Sequence, residues 1–483
     1  GDFEVTVEDL RHLGADLVEQ RLAATRDAKS HQQLDGAVFE LALTLLPGER
    51  SRLHVDLDMQ AADAMSYRTL MSDLAAEYLG RDLPELAYSY REYREAIARD
   101  EAQPQPARDA DRDWWARHIP QLPDPPMPPL TGGRDSRRST RRWYWLDPPT
   151  RDALFARARA RGVTPAMALA AAFSNALARW SATSRFLLNV PLFGRQALHP
   201  DVDLLVGELD VDLTGAGTAA QRAWAVQESM RTAAAHSAYP GLSVLRDLSR
   251  HRGAQVLAPV VFTSALGLGE LFSADVTEQF GTPVWIISQG PQVLLDAQVT
   301  EFDGGVLVNW DVRDGVFAPG VIDAMFTHQI DELLRLASAD DAWDAADRWT
   351  LPSAQRAVRD AVNGRIAESS GEALHDGFFR QAEQRPDAPA VFSSSGDLSY
   401  AQLRDQVLAV VAALRANGIG ADDTVAVVGP KTAEQVPAVL GILAAGAVYL
   451  PIGVDQPRDR AERILETGQA RLALLCGGQR LSL

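Results

Sequence analysis

Apolar positions along this chain recur with two periods, and the switches between them outline its elements. From Val7 to about Lys29, Leu10, Leu13 and Leu17 fall at steps of three and four in a background of Ala, Glu and Arg, which predicts one or two surface helices. Residues 37–46 alternate in part, Pro47-Gly48-Glu49 interrupts them, and Leu53, Val55 and Leu57 resume the alternation, so a hairpin is expected. A helix follows over residues 66–78 with Tyr67, Leu70, Met71, Leu74 and Tyr78 on one stripe, and residues 88–103 read as a charged helix stopping before Pro104. Between Pro104 and Arg142 the chain accumulates Pro, Gly, Ser and Arg, a composition that predicts an extended connector and a boundary between two lobes.

Trp143-Tyr144-Trp145-Leu146 predicts a strand and residues 149–161 a helix stopped by Gly162. Thr164-Pro165 supplies an N-cap and a first-turn proline for a core helix with Leu169, Ala172, Phe173, Ala176, Leu177 and Trp180 on one face. Buried strands are expected at 186–192 and 260–263, and further strands at 284–287, 292–299 and 306–310, the last two joined at Gly304-Gly305. A helix carrying Ile322, Phe326, Ile330, Leu333 and Leu334 closes this region near Ala337. Such mixing predicts an α/β sheet covered by helices. After a polar connector, residues 374–450 read helix, strand, helix, strand, helix, strand, which implies a parallel sheet with a right-handed crossover.

Composition sharpens this picture in three ways. A length of 483 residues exceeds what one core serves, and 46% apolar with 23% charged residues excludes wholesale disorder. The formal charge of -18 opposes non-specific attraction to nucleic acid or anionic lipid. Cys476 is the sole cysteine, so an intrachain disulfide and a four-thiolate zinc site are both excluded; its apolar neighbours at 472–475 make it a buried small hydrophobe. No apolar run approaches the roughly 20 residues that cross a bilayer, and the expectation is a cytoplasmic protein without a membrane partner.

Three places carry polar chemistry where the pattern is otherwise apolar. Asp58 and Asp63 stand five residues apart where a strand gives way to a helix, with Ser66 three residues on; helix capping or a structural ion pair is the plain reading. Thr263 and Ser264 end an apolar strand, where hydroxyls commonly bond to backbone. Asp296 falls inside a largely apolar strand, and a charge there needs a partner or a function.

These stretches resemble the heterocyclization (Cy) domains of nonribosomal peptide synthetases, a branch of the condensation superfamily. Where ordinary condensation domains carry a double-histidine motif, Cy domains have Asp, four residues, Asp, two residues, Ser; here these are Asp58, Asp63 and Ser66. Further blocks follow in order: Leu177-Ala178-Arg179-Trp180, Asn189-Val190-Pro191-Leu192-Phe193-Gly194-Arg195, His199-Pro200-Asp201-Val202, Gly207-Glu208, residues 259–266, residues 288–296 and Asn309-Trp310-Asp311. The sequence departs from the family at Gly290 for Thr, Leu294 for Trp and Ala297 for His, and where the family has Gly-Asp-Phe-Thr-Ser it has Gly207-Glu208-Leu209-Asp210-Val211. Residues 398–403 and 441–457 are similar to the start of an adenylation domain, and the chain stops before that family's phosphate loop and catalytic lysine.

The resemblance implies an α/β, chloramphenicol-acetyltransferase-like two-lobed condensation fold with an incomplete first lobe, followed by a partial α/β adenylation N-subdomain. The divisions expected are 1–130 for the first lobe, 131–340 for the second, 341–370 for a linker and 371–483 for the adenylation portion. About 100 residues of the first lobe are expected to precede Gly1, which makes the sequence part of something longer. The implied reaction condenses a carrier-bound acyl donor with a carrier-bound Cys, Ser or Thr, then cyclodehydrates the product to a thiazoline or oxazoline. Thr263 and Asp296 map onto the family's catalytic pair, and Asp58, lining the same channel, is counted with them as catalytic. Asp63 is expected to pair with Arg195 across the lobes, and Ser66, Asn189, Ser264, Ser288, Gln289 and Gln292 to line the substrate path. Implied partners are upstream and downstream peptidyl carrier domains and the rest of the synthetase. Phosphopantetheine arrives on those carriers, ATP serves only a complete adenylation domain, and no metal is required. Amide formation without cyclization and a non-catalytic docking role are the alternatives.

Overall fold

The computed structural model describes residues 4–34, 37–59, 62, 64–86, 89–101, 103–131, 136–193, 204–346, 351–365 and 370–478. The chain divides into two compact units, Gly1–Arg356 and Ala357–Leu483. Among the described residues no helix is long and apolar enough to cross a membrane.

The first unit opens with β1 (Thr6–Asp9), α1 (Ala15–His31), β2 (Phe39–Leu46) and β3 (Arg50–Leu57). β2 and β3 form the expected hairpin, Phe39 opposite Leu57 and Leu46 opposite Arg50, around a turn in which Gly48 has φ 72°. β1 pairs in parallel with β2, so Val7 is a strand residue rather than the start of a helix. Only at Ala15 does the leucine spacing become helical, because the preceding backbone is committed to the edge of β2.

Next come α2 (Ala64–Tyr78), α3 (Tyr90–Glu101) and α4 (Pro106–His118). α4 corrects the expectation of an extended connector from Pro104 onward. Pro106 sits in the first turn, where a missing N–H costs no hydrogen bond, and Trp115 is buried with Ile119 and Leu122 against Leu187, Val244 and Leu248. Tertiary burial thus overrides the composition of the segment.

The remaining elements of this region are β4 (Ser139–Leu146), α5 (Pro148–Ala160), α6 (Pro165–Trp180), β5 (Arg185–Phe193), β6 (Leu204–Asp212), α7 (Ala219–Ala235), α8 (Gly241–Arg252), β7 (Val260–Ser264), α9 (Ala274–Phe280), β8 (Leu295–Phe302), β9 (Gly305–Arg313) and α10 (Val321–Ser338). Six strands make one sheet in the order β4-β9-β8-β7-β5-β6, parallel at β5/β7 and β7/β8 and antiparallel elsewhere. Phe262, Leu295, Ala297, Val299, Val308 and Trp310 point to one face and join Leu154, Phe173, Leu177, Val226 and Leu333 of the covering helices in one apolar core. Phe173 meets Trp310 edge to face at 5.3 Å, and the buried indole N–H of Trp310 donates to Gln329 Oε1 at 2.8 Å. α6 begins as expected, with Thr164 Oγ1 accepting from the Met167 amide.

Residues 284–287 are not a strand, contrary to their apolar composition. Their neighbourhood is held by side chains instead of a ladder: Trp285 Nε1 donates to Ser30 Oγ of α1 at 2.9 Å, and the Ser288 amide donates to Asp311 Oδ2 at 2.9 Å. The far end of β7 also reaches the first lobe, since α9 packs on α2 through Val276, Met71 and Ala75 and Arg68 donates to the Leu268 carbonyl at 3.0 Å.

After α11 (Asp341–Asp344) and α12 (Ser353–Asn363), the second unit contains α13 (Asp376–Gln384), β10 (Pro389–Val391), β11 (Leu398–Ser399), α14 (Tyr400–Ala416), β12 (Thr424–Val428), α15 (Gln435–Ala444), β13 (Val448–Ile452), α16 (Arg458–Thr467) and β14 (Leu472–Leu475). Its three-stranded sheet, β13-β12-β14, is wholly parallel. Ser399 and Gln402 close a capping box at the start of α14, and Cys476 is buried with Leu414, Val425 and Ile442.

Gly305 marks a tight approach in the first unit: a Cβ there would lie 2.3 Å from the Leu146 carbonyl oxygen and 2.7 Å from Trp145 Nε1. Gly305→Ala is expected to cost about 1–3 kcal/mol through forced displacement of β4. A fall in the urea midpoint at constant slope is the expected result, and an unchanged midpoint would contradict the tight fit.

Candidate active site

Strand alternation gives the six-stranded sheet two chemically distinct faces. Opposite residues in a ladder share a face, so one cross-strand row runs Arg141, Asp311, Asp296, Val261, Asn189, and the next runs Trp143, Asn309, Gln298, Thr263. Both rows lie on the face turned away from the core, because Leu295, Ala297 and Phe262, one position out of phase, are core residues. Ala297, where the family has His, therefore faces hydrocarbon, and that departure leaves the polar face untouched.

On this face Thr263 Oγ1 lies 3.3 Å from Asp296 Oδ1, while Gln298 Nε2 donates to Asp296 Oδ2 at 2.6 Å. Gln298 Oε1 accepts from Asn309 Nδ2 at 3.1 Å and from Arg141 Nη2 at 3.4 Å. Arg141 forms a two-pronged ion pair with Asp311, at 2.7 and 2.6 Å, and both side chains are almost fully buried, 6% and 2% exposed. Asp296 lies deep in the protein yet keeps partial exposure. Burial pushes its pKa up to about 6; the negative charge of Asp311 adds to the rise, and the bonds from Gln298 and Thr263 oppose it.

The other expected site residues fall in several places. Asn189 stands one strand beyond Val261 on the same face, and its Oδ1 is buried without a hydrogen-bond partner among the described residues. Ser288 reaches the network through its amide, whereas Gln289 and Gln292 are exposed in the irregular segment before β8. The alternation that brings Thr263 to Asp296 turns Ser264 to the opposite face, opposite buried Val299, so Ser264 does not join the polar row. Asp58 follows β3, with its amide bonded to the Val38 carbonyl at 2.9 Å, and Ser66 lies in the first turn of α2. Asp63 and Arg195 lie outside the described residues. Arg141, Gln298, Asn309 and Asp311 were not singled out from the sequence as site residues. A signal existed for Asp311, a charge inside an apolar strand like Asp296.

An unfolded chain ionises Asp near pH 3.9, and the native chain ionises Asp296 only near 6, so native stability is lost as pH rises between those values. Asp296→Asn is expected to be more stable than the wild type at pH 7.5 by about 1–3 kcal/mol, with the advantage gone near pH 4. Urea midpoints at the two pH values check this, and a pH-independent difference would contradict it.

Comparison with known proteins identifies the family. Residues 2–357 match the condensation-domain family and residues 378–481 the AMP-binding enzyme family. The chain is 78% identical, over its full length, to the phenyloxazoline synthase MbtB of Mycolicibacterium paratuberculosis (strain ATCC BAA-968 / K-10), and it spans 42% of that relative's length. The solved structure of the nonribosomal peptide synthetase FmoA3 (S1046A) with alpha-methyl-L-serine-AMP is 33% identical, with a TM-score of 0.79 over 99% of this chain and 54% of the other. The EpoB cyclization-docking bidomain from Sorangium cellulosum is 32% identical, with a TM-score of 0.61 over 70% of this chain and 71% of the other. The first unit thus has the two-lobed α/β condensation fold, the second is part of an adenylation subdomain, and the chain belongs to the condensation-domain family.

Proposed function

We propose that the first unit is a heterocyclization domain that joins a carrier-bound acyl donor to a carrier-bound amino acid and then closes and dehydrates the product to a five-membered ring. The observation that carries this reading is the Thr263 hydroxyl 3.3 Å from a buried carboxylate whose pKa is raised to about 6. The name of the 78% identical relative, a phenyloxazoline synthase, favours a Ser or Thr acceptor over Cys and an aryl acyl donor, since an oxazoline takes its ring oxygen from a hydroxyl side chain.

Three steps are required. The acceptor amine attacks the donor thioester carbonyl, the C–N bond forms, and the thiol leaves with a proton. The acceptor hydroxyl oxygen then attacks the new amide carbonyl carbon; its proton is given up and one is delivered to the carbonyl oxygen, which leaves a hydroxylated ring. Finally that hydroxyl departs as water while the ring nitrogen loses its proton and the C=N bond forms. The last two steps need a group that takes and returns a proton near neutrality. A carboxylate at about 6 does both more readily than an ordinary aspartate. Thr263 Oγ1, both donor and acceptor, extends its reach toward the substrate, and Asn189 Oδ1, without a partner among the described residues, is suited to accept a substrate N–H.

The same reading gives Asp63 and Arg195 the ion pair between lobes, Asp58 and Ser66 the channel wall, and the chain its division at 130, 340 and 370. Phosphopantetheine-bearing carrier domains deliver both substrates, and ATP serves the adenylation domain to which residues 371–483 contribute.

Assay of a synthetase module carrying this chain, with product mass read on the carrier, tests the proposal. The wild type should yield a product one water lighter than the amide, with ring formation falling about tenfold per pH unit below about 6. Asp296→Ala should accumulate open amide, with ring formation reduced at least about a hundredfold. Native ring yield from a Thr263→Ala, Asp296→Ala double variant would sink the catalytic reading, and a wild type that makes only amide would sink cyclization.

A further inference from the structure

The two oxygens of Asp296 are treated differently by their surroundings. Oδ2 lies 2.6 Å from Gln298 Nε2, the length of a strong bond to a charged group, whereas Oδ1 meets the Thr263 hydroxyl at the looser distance of 3.3 Å. The orientation of the Gln298 amide is dictated from behind. Its Oε1 lies 3.4 Å from Arg141 Nη2, and a guanidinium only donates, so the oxygen must face Arg141 and the NH2 group must face Asp296. Asn309 Nδ2 reinforces this sense at 3.1 Å from a side chain that is 1% exposed. Arg141 cannot swing away, because Asp311 holds it at two points and is itself held by the Ser288 amide.

An amide NH2 group donates and does not accept. Whatever the state of Asp296, Oδ2 must therefore be an acceptor, and a proton on the carboxyl group resides on Oδ1, beside Thr263. Building on the heterocyclization reading, we propose that Gln298 is a positioning residue that confines proton exchange to Oδ1 of Asp296, with Asn309 and Arg141 fixing its amide for that purpose. In ring closure the hydroxyl O–H bond of the acceptor breaks, its proton passes to Oδ1, and Oδ1 returns it to the former carbonyl oxygen, which gives the hydroxylated ring. In dehydration the ring N–H bond breaks as the C=N bond forms, its proton passes to Oδ1 and from there to the departing hydroxyl, which leaves as water, so Oδ1 ends deprotonated as it began. Each proton enters and leaves through one oxygen, and no other reactant is needed.

Two substitutions separate positioning from mere packing. Gln298→Glu keeps the length and an oxygen for Asn309 and Arg141 but replaces the donor to Oδ2 with an acceptor; Gln298→Met fills the volume and offers neither. Both are to be assayed beside Asp296→Ala in a synthetase module carrying this chain, with amide and ring read separately by mass across the neutral pH range. Both Gln298 variants are expected to keep amide formation, lose ring formation at least about tenfold, and move its acidic limb upward by about one pH unit, as loss of a hydrogen bond to a charged group requires. Wild-type ring formation with the limb in place overturns the proposal. So does a parallel loss of amide and ring with an unmoved limb, which is what a structural role gives. Ring formation surviving in Asp296→Ala removes the heterocyclization reading itself, whereas its loss there with both Gln298 variants unaffected removes the positioning role alone.

Discussion

Taking the Asp296 carboxylate out of water is the constraint around which the polar face of the large sheet is arranged. A buried charge normally recruits a cation, and Arg141 stands two strands away in the same cross-strand row. That cation is committed to Asp311, which lies between them, through two short bonds in a nearly dry setting. Asp296 is left with neutral donors, Gln298 and Thr263, with the repulsion of Asp311 and with a weaker, opposing attraction from Arg141. The result is a carboxyl group balanced near neutrality instead of a settled ion pair, at a cost in native stability once the group ionises.

Such a balance requires a rigid support, and the opposite face of the sheet supplies it. Phe173, Phe262 and Trp310 are fully buried, with Phe173 in contact with both of the others, and Leu295 and Ala297, the neighbours of Asp296 in β8, belong to the same core. A shift of β8 by one residue would exchange the core and polar faces, so the hydrocarbon packing fixes the register that presents Thr263 to Asp296. Beyond Ser264 the chain passes to α9 and its contacts with α2, which connects the strand bearing Thr263 to the lobe bearing Asp58 and Ser66.

Much of this was legible in the sequence where the interaction is local or periodic. The hairpin at β2 and β3, the capped core helix α6 and the alternation of β8 and β9 follow from spacing alone. Thr263 and Asp296 each stood out from the apolar pattern, but their pairing came from resemblance, since nothing in the 33-residue separation between them states that their strands are neighbours. Gln298 and Arg141 escaped notice for the same reason in stronger form: they are 157 residues apart, and their meaning arises only when β4, β9 and β8 lie side by side. The errors have a common cause. At 106–118 the Pro- and Gly-rich composition of the longer stretch 104–142 hid a helix that Trp115 anchors, and at 284–287 an apolar run suggested a strand that has no ladder partner among the described residues.

Direct titration of Asp296 is the most incisive measurement. With aspartate carboxyl carbons labelled, the resonance that disappears in Asp296→Asn can be followed by NMR as pH is varied. The account predicts a midpoint near 6, displaced upward from an ordinary aspartate by loss of hydration. A midpoint at or below about 4 would mean that the carboxylate is well solvated or firmly paired, and the proton-shuttling role derived from its burial would fall.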